Sequence, residues 1–319
     1  LKWSAANSRW QPADIEEASG TQKAIFGFGS SASNTRTNNT NLVSSSGVVA
    51  SDTTGVGTAR DRLAASGYGG DKAIFGFGET SGSDYSNLTN LVSNAGVVAT
   101  DTTGVGSAKG LLAAAGFGGD KAIFGYGNTT STSEFYLNET NLVSSSGVVA
   151  TDTTGVGMVR SGLAAAGYGG DKALFGFGSD YANYDERLQN ITNLVSNTGV
   201  VSTDTTGVGT ARYGLAASSY GGDKAIFGFG FANTVTNVTN LVSNTGVVAS
   251  DSTGVGTVRS SLAASGYGGD KAIFGFGITS GTHYNITNLV SNTGVVATDT
   301  TGVGTARQSL AAAGYSSTA

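Results

Sequence analysis

The strongest constraint on the fold is a repeat. The phrase Lys-Ala-Ile/Leu-Phe-Gly-Phe/Tyr-Gly occurs six times in this chain of 319 residues. Its copies begin at Lys23, Lys72, Lys121, Lys172, Lys224 and Lys271, at a period of about 50 residues. A period of this length is typical of an array in which each repeat is one supersecondary unit. Such a unit buries its apolar faces against its neighbours, so the repeat predicts the architecture.

Each repeat consists of four short apolar segments separated by turn residues. In the second repeat these segments are Leu63–Tyr68, Lys72–Gly78, Leu91–Thr100 and Val105–Lys109. The turns carry Gly-Gly-Asp and Asp-Thr-Thr-Gly, whose residue types are frequent in tight turns. A helical alternative is disfavoured because the 51 glycines interrupt every apolar stretch before a 3.6-residue period develops. The sequence therefore predicts an all-β fold with four antiparallel strands in each repeat.

The two ends of the repeat region predict how the array closes. The region opens with second-strand sequence at Lys23–Gly29 and finishes with first-strand sequence at Leu310–Tyr315. If these two segments pair, they complete one unit and the array becomes a ring. We therefore expect a single six-bladed β-propeller over residues 22–319, closed by the C-terminal strand joining the first blade. Residues 1–21 are expected to be a non-repeat N-terminal segment.

Side-chain alternation predicts how neighbouring blades pack. In Lys72–Gly78, we expect Ala73, Phe75 and Phe77 on one face of the strand, whereas Ile74 and two glycines occupy the other face. The bulky rings of one blade can then contact the bare backbone of the next. The Leu-Ala-Ala segments are expected to form the innermost strands, because their small side chains fit where blades crowd the central axis.

The order of these features resembles the kelch family of β-propellers. A kelch unit runs from a basic residue through a small-residue strand, a strand ending in Phe-Gly, an Asn-led strand and an Asp turn to a short outer strand. The matching positions here are Arg212, Leu215–Ser218, Lys224–Gly230, Asn240–Val242, Asp251 and Val255–Arg259. The resemblance covers residues 22–316, although the outer-strand tryptophan of the family is absent and Gly-Phe/Tyr-Gly replaces its Gly-Gly. It implies a propeller and no particular activity, because this family hosts enzymes, adaptors and lectin-like proteins.

The repeats agree in one set of turns and differ in another. The loops between second and third strands vary in length and chemistry: Ser30–Thr37, Glu79–Ser86, Asn128–Leu137, Ser179–Gln189, Phe231–Thr236 and Ile278–Tyr284. Variable loops on a rigid scaffold are where binding usually occurs. The candidate ligand-binding residues on this variable face are Tyr85, Phe135, Tyr136, Tyr181, Tyr184, Phe231, His283 and Tyr284. The alternative is neutral drift in exposed loops after duplication.

A second regularity precedes each third strand. The N-glycosylation acceptor pattern Asn-X-Thr recurs at Asn38, Asn87, Asn138, Asn190, Asn237 and Asn285. These six asparagines are therefore candidate glycosylation sites. The alternative is structural, because Asn and Thr are also favoured in turns at the start of strands, and duplication would copy one such turn six times.

Charged residues also recur in every repeat. The acidic set is Asp52, Asp101, Asp152, Asp204, Asp251 and Asp299, and the basic set is Arg60, Lys109, Arg160, Arg212, Arg259 and Arg307. A catalytic centre needs a few non-equivalent groups that converge at one place. We therefore expect these charges to cap turns and connect neighbouring blades. Calcium binding at the Asp-Thr-Thr turns is disfavoured, because one carboxylate per turn is few for an ion that takes 6–8 oxygens.

The composition limits enzymatic chemistry. The chain has no cysteine and one histidine, His283, so neither a Cys–His pair nor a multi-histidine metal centre can form within it. We predict no catalytic residue, no metal site and no cofactor. A glycosidase using loop carboxylates remains an alternative, with Glu134, Asp180, Asp185 and Glu186 on the variable face.

Charge and hydropathy narrow the class of partner. The net charge of −5 disfavours nucleic acid, and no apolar run is long enough for membrane insertion. The near-identical repeats of low charge resemble kelch-like propeller proteins of phage particles and environmental microbes. This resemblance implies a non-enzymatic structural or surface-binding protein, such as a component of an extracellular fibre or virion (a tail or an adhesin-like head). The expected partners are other protein subunits or cell-surface glycans, with assembly into a homo-oligomer or fibre. A lectin-like propeller is the main alternative.

Overall fold

The structure, a computed structural model, describes the backbone of residues 2–4, 9–11, 21–81, 84–129, 136–182 and 185–318. Side chains are described from residue 21 onward within these ranges, except for 181–186. The described residues contain no helix, and therefore none that could cross a membrane. The predicted all-β class is confirmed.

Six three-stranded antiparallel sheets, one for each repeat, contain most of the strands. In each sheet the strand that carries the Lys-Ala-Ile/Leu-Phe-Gly phrase is central. Sheet 1 contains β26 (Ala311–Tyr315), β3 (Lys23–Gly27) and β5 (Thr40–Val43); sheet 2, β6 (Ala64–Tyr68), β7 (Lys72–Gly76) and β8 (Thr89–Val92); sheet 3, β9 (Ala113–Phe117), β10 (Lys121–Asn128) and β11 (Tyr136–Val143); sheet 4, β12 (Ala164–Tyr168), β13 (Lys172–Gly176) and β16 (Thr192–Val195); sheet 5, β17 (Ala216–Tyr220), β18 (Lys224–Gly228) and β19 (Thr239–Val242); and sheet 6, β20 (Ala263–Tyr267), β21 (Lys271–Gly275) and β24 (Thr287–Val290).

Eight further strands form four two-stranded pairs outside these sheets. They are β1 (Lys2–Ser4) with β2 (Arg9–Gln11), β4 (Ser30–Ser31) with β25 (Arg307–Gln308), β14 (Ser179–Ala182) with β15 (Asp185–Leu188), and β22 (Ile278–Thr279) with β23 (Thr282–His283). The first pair belongs to the non-repeat segment, and the others lie in or beside the variable loops.

The last strand of the chain belongs to the first sheet. β26 pairs antiparallel with β3, so that Tyr315 lies opposite Lys23 and Ala311 lies opposite Gly27. The same register joins the first and second strands of sheet 2, where Tyr68 lies opposite Lys72. The predicted pairing between the C-terminal segment and the first phrase is therefore present.

The first strands of the six sheets, here called the inner strands, contact one another in sequence. β6 contacts β9, β9 contacts β12, β12 contacts β17, β17 contacts β20, β20 contacts β26, and β26 contacts β6. Together they line a cavity of about 370 Å³. Their small alanine, serine and glycine residues allow six strands to approach one another around this shared space.

The core lies between the sheets. Each of six hydrophobic clusters joins buried residues of two sheets that are neighbours in the contact order. Phe75 of sheet 2 lies against Gly27 of sheet 1 so closely that a Cβ built on the glycine would be 2.8 Å from the ring. The same contact joins Phe26 of sheet 1 to Gly275 of sheet 6. The predicted packing of rings against bare backbone is confirmed.

One part of the alternation prediction is wrong. Phe77 was expected on the same face as Ala73 and Phe75, but it packs with Ile74 towards sheet 3, where its ring centroid is 5.2 Å from that of Phe124. The reason is that β7 ends at Gly76 and Phe77 has a φ of 64°, which breaks the two-residue period. An aromatic residue at the matching position of every sheet adopts this left-handed conformation.

In the second repeat the predicted fourth strand, Val105–Lys109, forms no strand, and the predicted third segment, Leu91–Thr100, is a strand only as far as Val92. After β8 the chain turns back and makes only two bridges with it, Val92 with Val98 and Thr89 with Thr102. The buried side chain of Asn90 explains the irregular pairing, because its Nδ2 donates to the Ala99 carbonyl at 3.0 Å and to Asp101 at 2.9 Å. A side chain thus takes an acceptor that a regular ladder would use, and each sheet has three strands.

Candidate binding surface

Each sheet has one constant end and one variable end. The constant end carries the Ser-X-X-Gly-Val turn and, in sheets 2–6, the Gly-Gly-Asp turn. The two turns are adjacent: in sheet 2, Asn94 of the first donates to Asp71 of the second at 3.0 Å. The opposite, variable end carries the loops between second and third strands. Six backbone bonds of 2.7–3.0 Å connect the constant ends of successive sheets, and the last returns to the sheet of the first: Gly69 N to Asp120 O, Gly118 N to Asp171 O, Gly169 N to Asp223 O, Gly221 N to Asp270 O, Gly268 N to Gln22 O, and Ser316 N to Asp71 O.

A buried arginine connects neighbouring sheets. Arg212 is fully buried, and its guanidinium carbon lies 4.4 Å from the ring centroid of Phe177 in sheet 4. Towards sheet 5, Arg212 donates from Nε to the Phe229 carbonyl at 2.8 Å and from Nη2 to Asn240 Oδ1 at 2.6 Å. Burial lowers the pKa of Arg212 to about 10, with nearby Asp251 acting in the opposite direction. The side chain is therefore still charged at neutral pH while it bridges two sheets.

The same arrangement recurs between every neighbouring pair of sheets. The cation lies over an aromatic ring in each of six pairs: Arg60 on Phe28, Lys109 on Phe77, Arg160 on Tyr126, Arg212 on Phe177, Arg259 on Phe229 and Arg307 on Phe276. Each cation also has an aspartate of the next sheet within 3.4–3.9 Å. The expected structural role of the recurring charges, which is to connect neighbouring repeats, is confirmed.

The aspartates of this network give the fold an acid-sensitive component. Partial burial would raise the pKa of Asp251, but bonds from the Thr210 hydroxyl, the Asn240 amide and the Thr210 N–H together lower it below its usual value. The pKa is lowered in the same way in four equivalents: Asp52, Asp101, Asp152 and Asp299.

We expect the chain to lose stability steeply when the pH falls below about 4. A carboxylate whose pKa is lower in the folded state stabilises the protein above its unfolded-state pKa, and this contribution is lost as pH falls through the folded-state pKa. Urea denaturation midpoints measured from pH 7 to pH 2 test this. The Asp251→Asn variant is the control and should show a shallower pH dependence. A midpoint that does not change down to pH 2 would contradict the prediction.

Lys109 is the exception in this network. It is fully buried between sheets 2 and 3, and burial lowers its pKa, with Asp152 acting in the opposite direction. A lysine has a single donor nitrogen, and here the Lys109 Nζ donates to Asp152 Oδ1 at 3.4 Å. The Oδ1 of buried Asn141, which accepts from an arginine at the five equivalent positions, therefore has no partner.

We expect Lys109→Arg to raise the free energy of unfolding by about 1–2 kcal/mol. The guanidinium would supply the missing donor to Asn141 in a site whose five equivalents already accommodate arginine. Urea denaturation measures the change. Lys121→Arg, at an exposed lysine, is the matched control and should change stability by less than about 0.5 kcal/mol. Equal or lower stability of Lys109→Arg than of the wild type would contradict this account.

A closed cycle of hydrogen bonds lies at the variable end. Six residues, one before each inner strand, form it, and the backbone N–H of each donates to the carbonyl of the preceding one, as from Leu111 to Arg62. The cycle closes where Arg62 donates to Ser309, and all six N···O distances are between 2.7 and 2.9 Å. The members are Arg62, Leu111, Gly162, Gly214, Ser261 and Ser309, all left-handed with φ of 53–61°. Each member directly precedes the leucine that comes just before an inner strand. Their side chains therefore differ while their backbones are equivalent.

The residue before each cycle member forms a bridge with the residue that opens the variable loop. We call these the junction pairs: Asp61 with Glu79, Gly110 with Asn128, Ser161 with Ser179, Tyr213 with Phe231, Ser260 with Ile278, and Gln308 with Ser30. Equivalent backbone positions therefore carry six different pairs of residues. Sequence reasoning found the loops but missed their junction partners. The signal was present, because the two residues between the recurring basic residue and Leu-Ala-Ala differ in almost every repeat.

One junction pair forms a charged cluster between sheets 1 and 2. Arg36 donates to Asp61 at 2.9 Å, and both Arg36 and Arg62 donate to the carboxylate of Glu79. The side chains of Asp61 and Glu79 are almost fully buried. Tyr85 packs beside this cluster, with its ring against Gly110. The carboxylates are therefore neutralised by two arginines, and the cluster orders this side of the surface.

An aromatic junction pair lies between sheets 4 and 5. The ring centroids of Tyr213 and Phe231 are 5.5 Å apart and both residues are half-buried. The neighbouring cycle members are Gly162 and Gly214, which have no side chains, and Tyr213 packs directly against Gly162. Two partly exposed rings therefore stand beside bare backbone, an arrangement that suits contact with an apolar face of a ligand.

The other predicted binding residues are more dispersed. Three of them are half-buried: Tyr136 begins β11, His283 ends β23 and Tyr284 follows it. Both ring nitrogens of His283 are buried without a hydrogen-bond partner. Phe135 and Tyr184, together with the side chain of Tyr181, lie outside the described residues. Of the predicted set, Phe231 belongs to a junction pair and Tyr85 lies beside one.

The six sequon asparagines are half-buried and engaged in hydrogen bonds. In each, Nδ2 donates at 2.6–2.9 Å to the carbonyl of a glycine nineteen residues later, as from Asn38 to Gly57. The glycine two residues before each acceptor glycine packs tightly against the same asparagine. A Cβ built on Gly55, for example, would overlap the Asn38 carbonyl. These asparagines anchor the returning segment of each repeat. Glycosylation at them stays a prediction.

The candidate glycosidase carboxylates show no catalytic arrangement among the residues described. Asp180 is buried, and its two oxygens accept from Arg187 and Gln189. Glu134 lies outside the described residues, as do the side chains of Asp185 and Glu186. Within the described part of the chain, no group of three or more His, Asp or Glu side chains could hold a metal ion.

Comparison with known proteins adds no functional information. No protein-family model matches this chain, and no curated protein matches it. The kelch resemblance therefore still depends on the residue pattern alone.

Proposed function

We propose that the six sheets are the blades of a closed, kelch-like six-bladed β-propeller. Three cyclic arrangements support closure: the contacts of the inner strands, the hydrogen bonds between constant ends and those of the left-handed cycle. In each arrangement sheet 6 contacts sheet 1 as each earlier sheet contacts the next. The pairing of β26 with β3 supplies the connection between the two ends of the repeat region. Closure leaves every sheet with two neighbours and no exposed core face.

We further propose that this propeller is a non-enzymatic surface-binding protein, a component of an extracellular fibre or virion, which contacts its partner through the variable end. One observation carries the proposal: the residues that connect the sheets recur in every repeat, whereas the junction pairs differ in chemistry. A scaffold of equivalent backbone positions with one non-equivalent surface is suited to recognition. The partners consistent with this surface are other protein subunits or cell-surface glycans.

Cell binding by the purified, fluorescently labelled chain tests this function. The variant Tyr213→Ser with Phe231→Ser converts one junction pair into the Ser161 with Ser179 pair that the scaffold already contains. We expect the wild type to bind the surfaces of some species in a panel of intact bacteria, and this variant to bind at least 10-fold more weakly with an unchanged melting temperature. Lys121→Ser, at the constant end, is the control. Equal binding by the wild type and the variant would contradict the proposal.

Glycan binding is a second candidate, favoured by the Tyr213 with Phe231 pair beside two glycines. Aromatic rings contact the apolar faces of sugars, while the half-buried Ser260 of a neighbouring junction pair can bond hydroxyls. A glycan array is expected to show binding that the double serine variant loses. Hydrolysis of aryl glycosides by the purified chain, abolished by Asp180→Asn, would instead identify the glycosidase.

A further inference from the structure

Six equivalent valines are exposed at the constant end. Each ends a Ser-X-X-Gly-Val turn, as where the Ser44 hydroxyl accepts from Val48 N at 3.1 Å. The six are Val48, Val97, Val148, Val200, Val247 and Val295, and each is 65–66% exposed. No other large hydrophobic residue of the described chain is more than 41% exposed.

This pattern is different from scattered surface valines. A single exposed apolar residue is ordinary, but an apolar group repeated at one end of all six sheets forms a patterned surface. The next residue in each copy turns inward, since Val49 bridges Val43 and packs against the core. Between the turns of sheets 1 and 2, Val48 borders a surface groove together with Asn94, Ala95 and Tyr315. The valines are therefore available to a partner that contacts this end.

The charges at the same end are self-complementary. In five sheets a lysine and the preceding aspartate form an ion pair of 2.7–3.2 Å: Lys72 with Asp71, Lys121 with Asp120, Lys172 with Asp171, Lys224 with Asp223, and Lys271 with Asp270. These lysine side chains are 43–47% exposed. Positive and negative groups therefore alternate around the mouth of the central cavity. A copy turned over onto this end can place each lysine near an aspartate, so charge does not oppose self-association.

We propose that two copies of this chain associate constant end to constant end. The inference depends on the ring closure proposed above, which gives the surface its sixfold repetition. The occupant must match six equivalent valines and five ion pairs, and the constant end of a second copy has that repetition. A two-fold axis perpendicular to the ring axis relates the contacts in pairs, the sixfold repetition makes these pairs similar, and six weak contacts formed together give a stable dimer. Both variable ends then face outward, so the particle is bivalent.

The mass of the chain in solution tests this proposal. Sedimentation equilibrium of the wild type across micromolar concentrations is expected to give twice the chain mass. The constant-end variant carries Val48→Ser, Val97→Ser, Val200→Ser and Val295→Ser, and is expected to raise the dissociation constant at least 100-fold. The matched control variant carries Val56→Ser, Val105→Ser, Val208→Ser and Val303→Ser, at exposed valines towards the variable end. It should remain dimeric, and all three proteins should melt as single folded species.

Three results would overturn the proposal. The first is a wild-type chain that is monomeric at the highest concentration reached. The second is equal dissociation of both variants, which would place the contact elsewhere. The third is open-ended filaments that only the constant-end variant lacks, because these would mean that the constant end contacts the variable end of the next copy. None of these results bears on the two earlier proposals. Ring closure is tested by intramolecular distances, and surface binding is tested by the double serine variant of Tyr213 and Phe231.

Discussion

Deletion of residues 309–319 is expected to destabilise the chain by at least about 5 kcal/mol, which is comparable to the whole stability of an ordinary domain. The deletion removes β26, the hydrogen-bonded partner of β3. It also removes Leu310 and Tyr315, which pack in the clusters on the two sides of sheet 1. Burial of two such side chains contributes about 1.5–3 kcal/mol each, and the unpaired backbone of β3 adds to the loss.

Thermal denaturation followed by circular dichroism, together with size-exclusion chromatography, measures the effect. The control is a circular permutant in which Gly-Gly-Asp joins Tyr315 directly to Lys23 and the new termini lie between Asn233 and Thr234, which are exposed. This link copies the turn of sheet 2 at Tyr68–Lys72. We expect the permutant to fold cooperatively. A truncated chain with wild-type stability would show that β26 is dispensable, contrary to the structure.

Replacement of Arg212 by alanine is expected to lower the free energy of unfolding by about 3–5 kcal/mol. The variant leaves the Phe229 carbonyl and Asn240 Oδ1 without their donor in a buried site. It also opens a cavity against the ring of Phe177. Removing one partner of a buried charged network costs more than the net stabilisation by the network, because the remaining polar groups are unpaired away from water.

Urea denaturation of Arg212→Ala, Arg212→Lys and wild type separates charge from geometry. Arg212→Lys reproduces the situation of Lys109, in which the cation remains while Asn141 Oδ1 loses its partner. It should therefore cost about 1–3 kcal/mol, less than alanine. If both variants were within about 0.5 kcal/mol of the wild type, the buried network would not be what connects the sheets.

The repeat phrase was sufficient to predict the all-β class, the number of sheets and the pairing of the last strand with the first phrase. These features follow from periodicity and from the order of segments, which a sequence displays directly. The inward packing of Phe75 on a neighbouring glycine was also predicted. The position of Phe77 was not, because strand alternation assumes extended backbone and Phe77 is left-handed. The predicted fourth strand, Val105–Lys109, is not formed, because the segment that returns along β8 is residues 98–102, where the Asn90 side chain takes the Ala99 carbonyl.

The candidate surface was predicted only in part. The variable loops identified the end of each sheet that carries the junction pairs, and Phe231 was among the residues singled out. Its partner Tyr213 is eighteen residues away in the chain, and only the bridge between them brings the rings together. The charged cluster was missed because Arg36, Asp61 and Glu79 come from three separate segments. Contacts of this kind depend on sheet register, which the repeat pattern alone does not specify for loops.

Distances between spin labels test the closed ring most directly. The chain has no cysteine, so labels can be attached at cysteines that replace Val56, Val105, Val208 and Val303, equivalent valines of sheets 1, 2, 4 and 6 that are 39–41% exposed. Double electron–electron resonance should give equal distances for the label pairs 56/105 and 56/303, which lie on neighbouring sheets. It should give a longer distance for the pair 56/208, which lies across the ring. A distance for 56/303 that is the longest of the three would mean an open array, and would contradict the account.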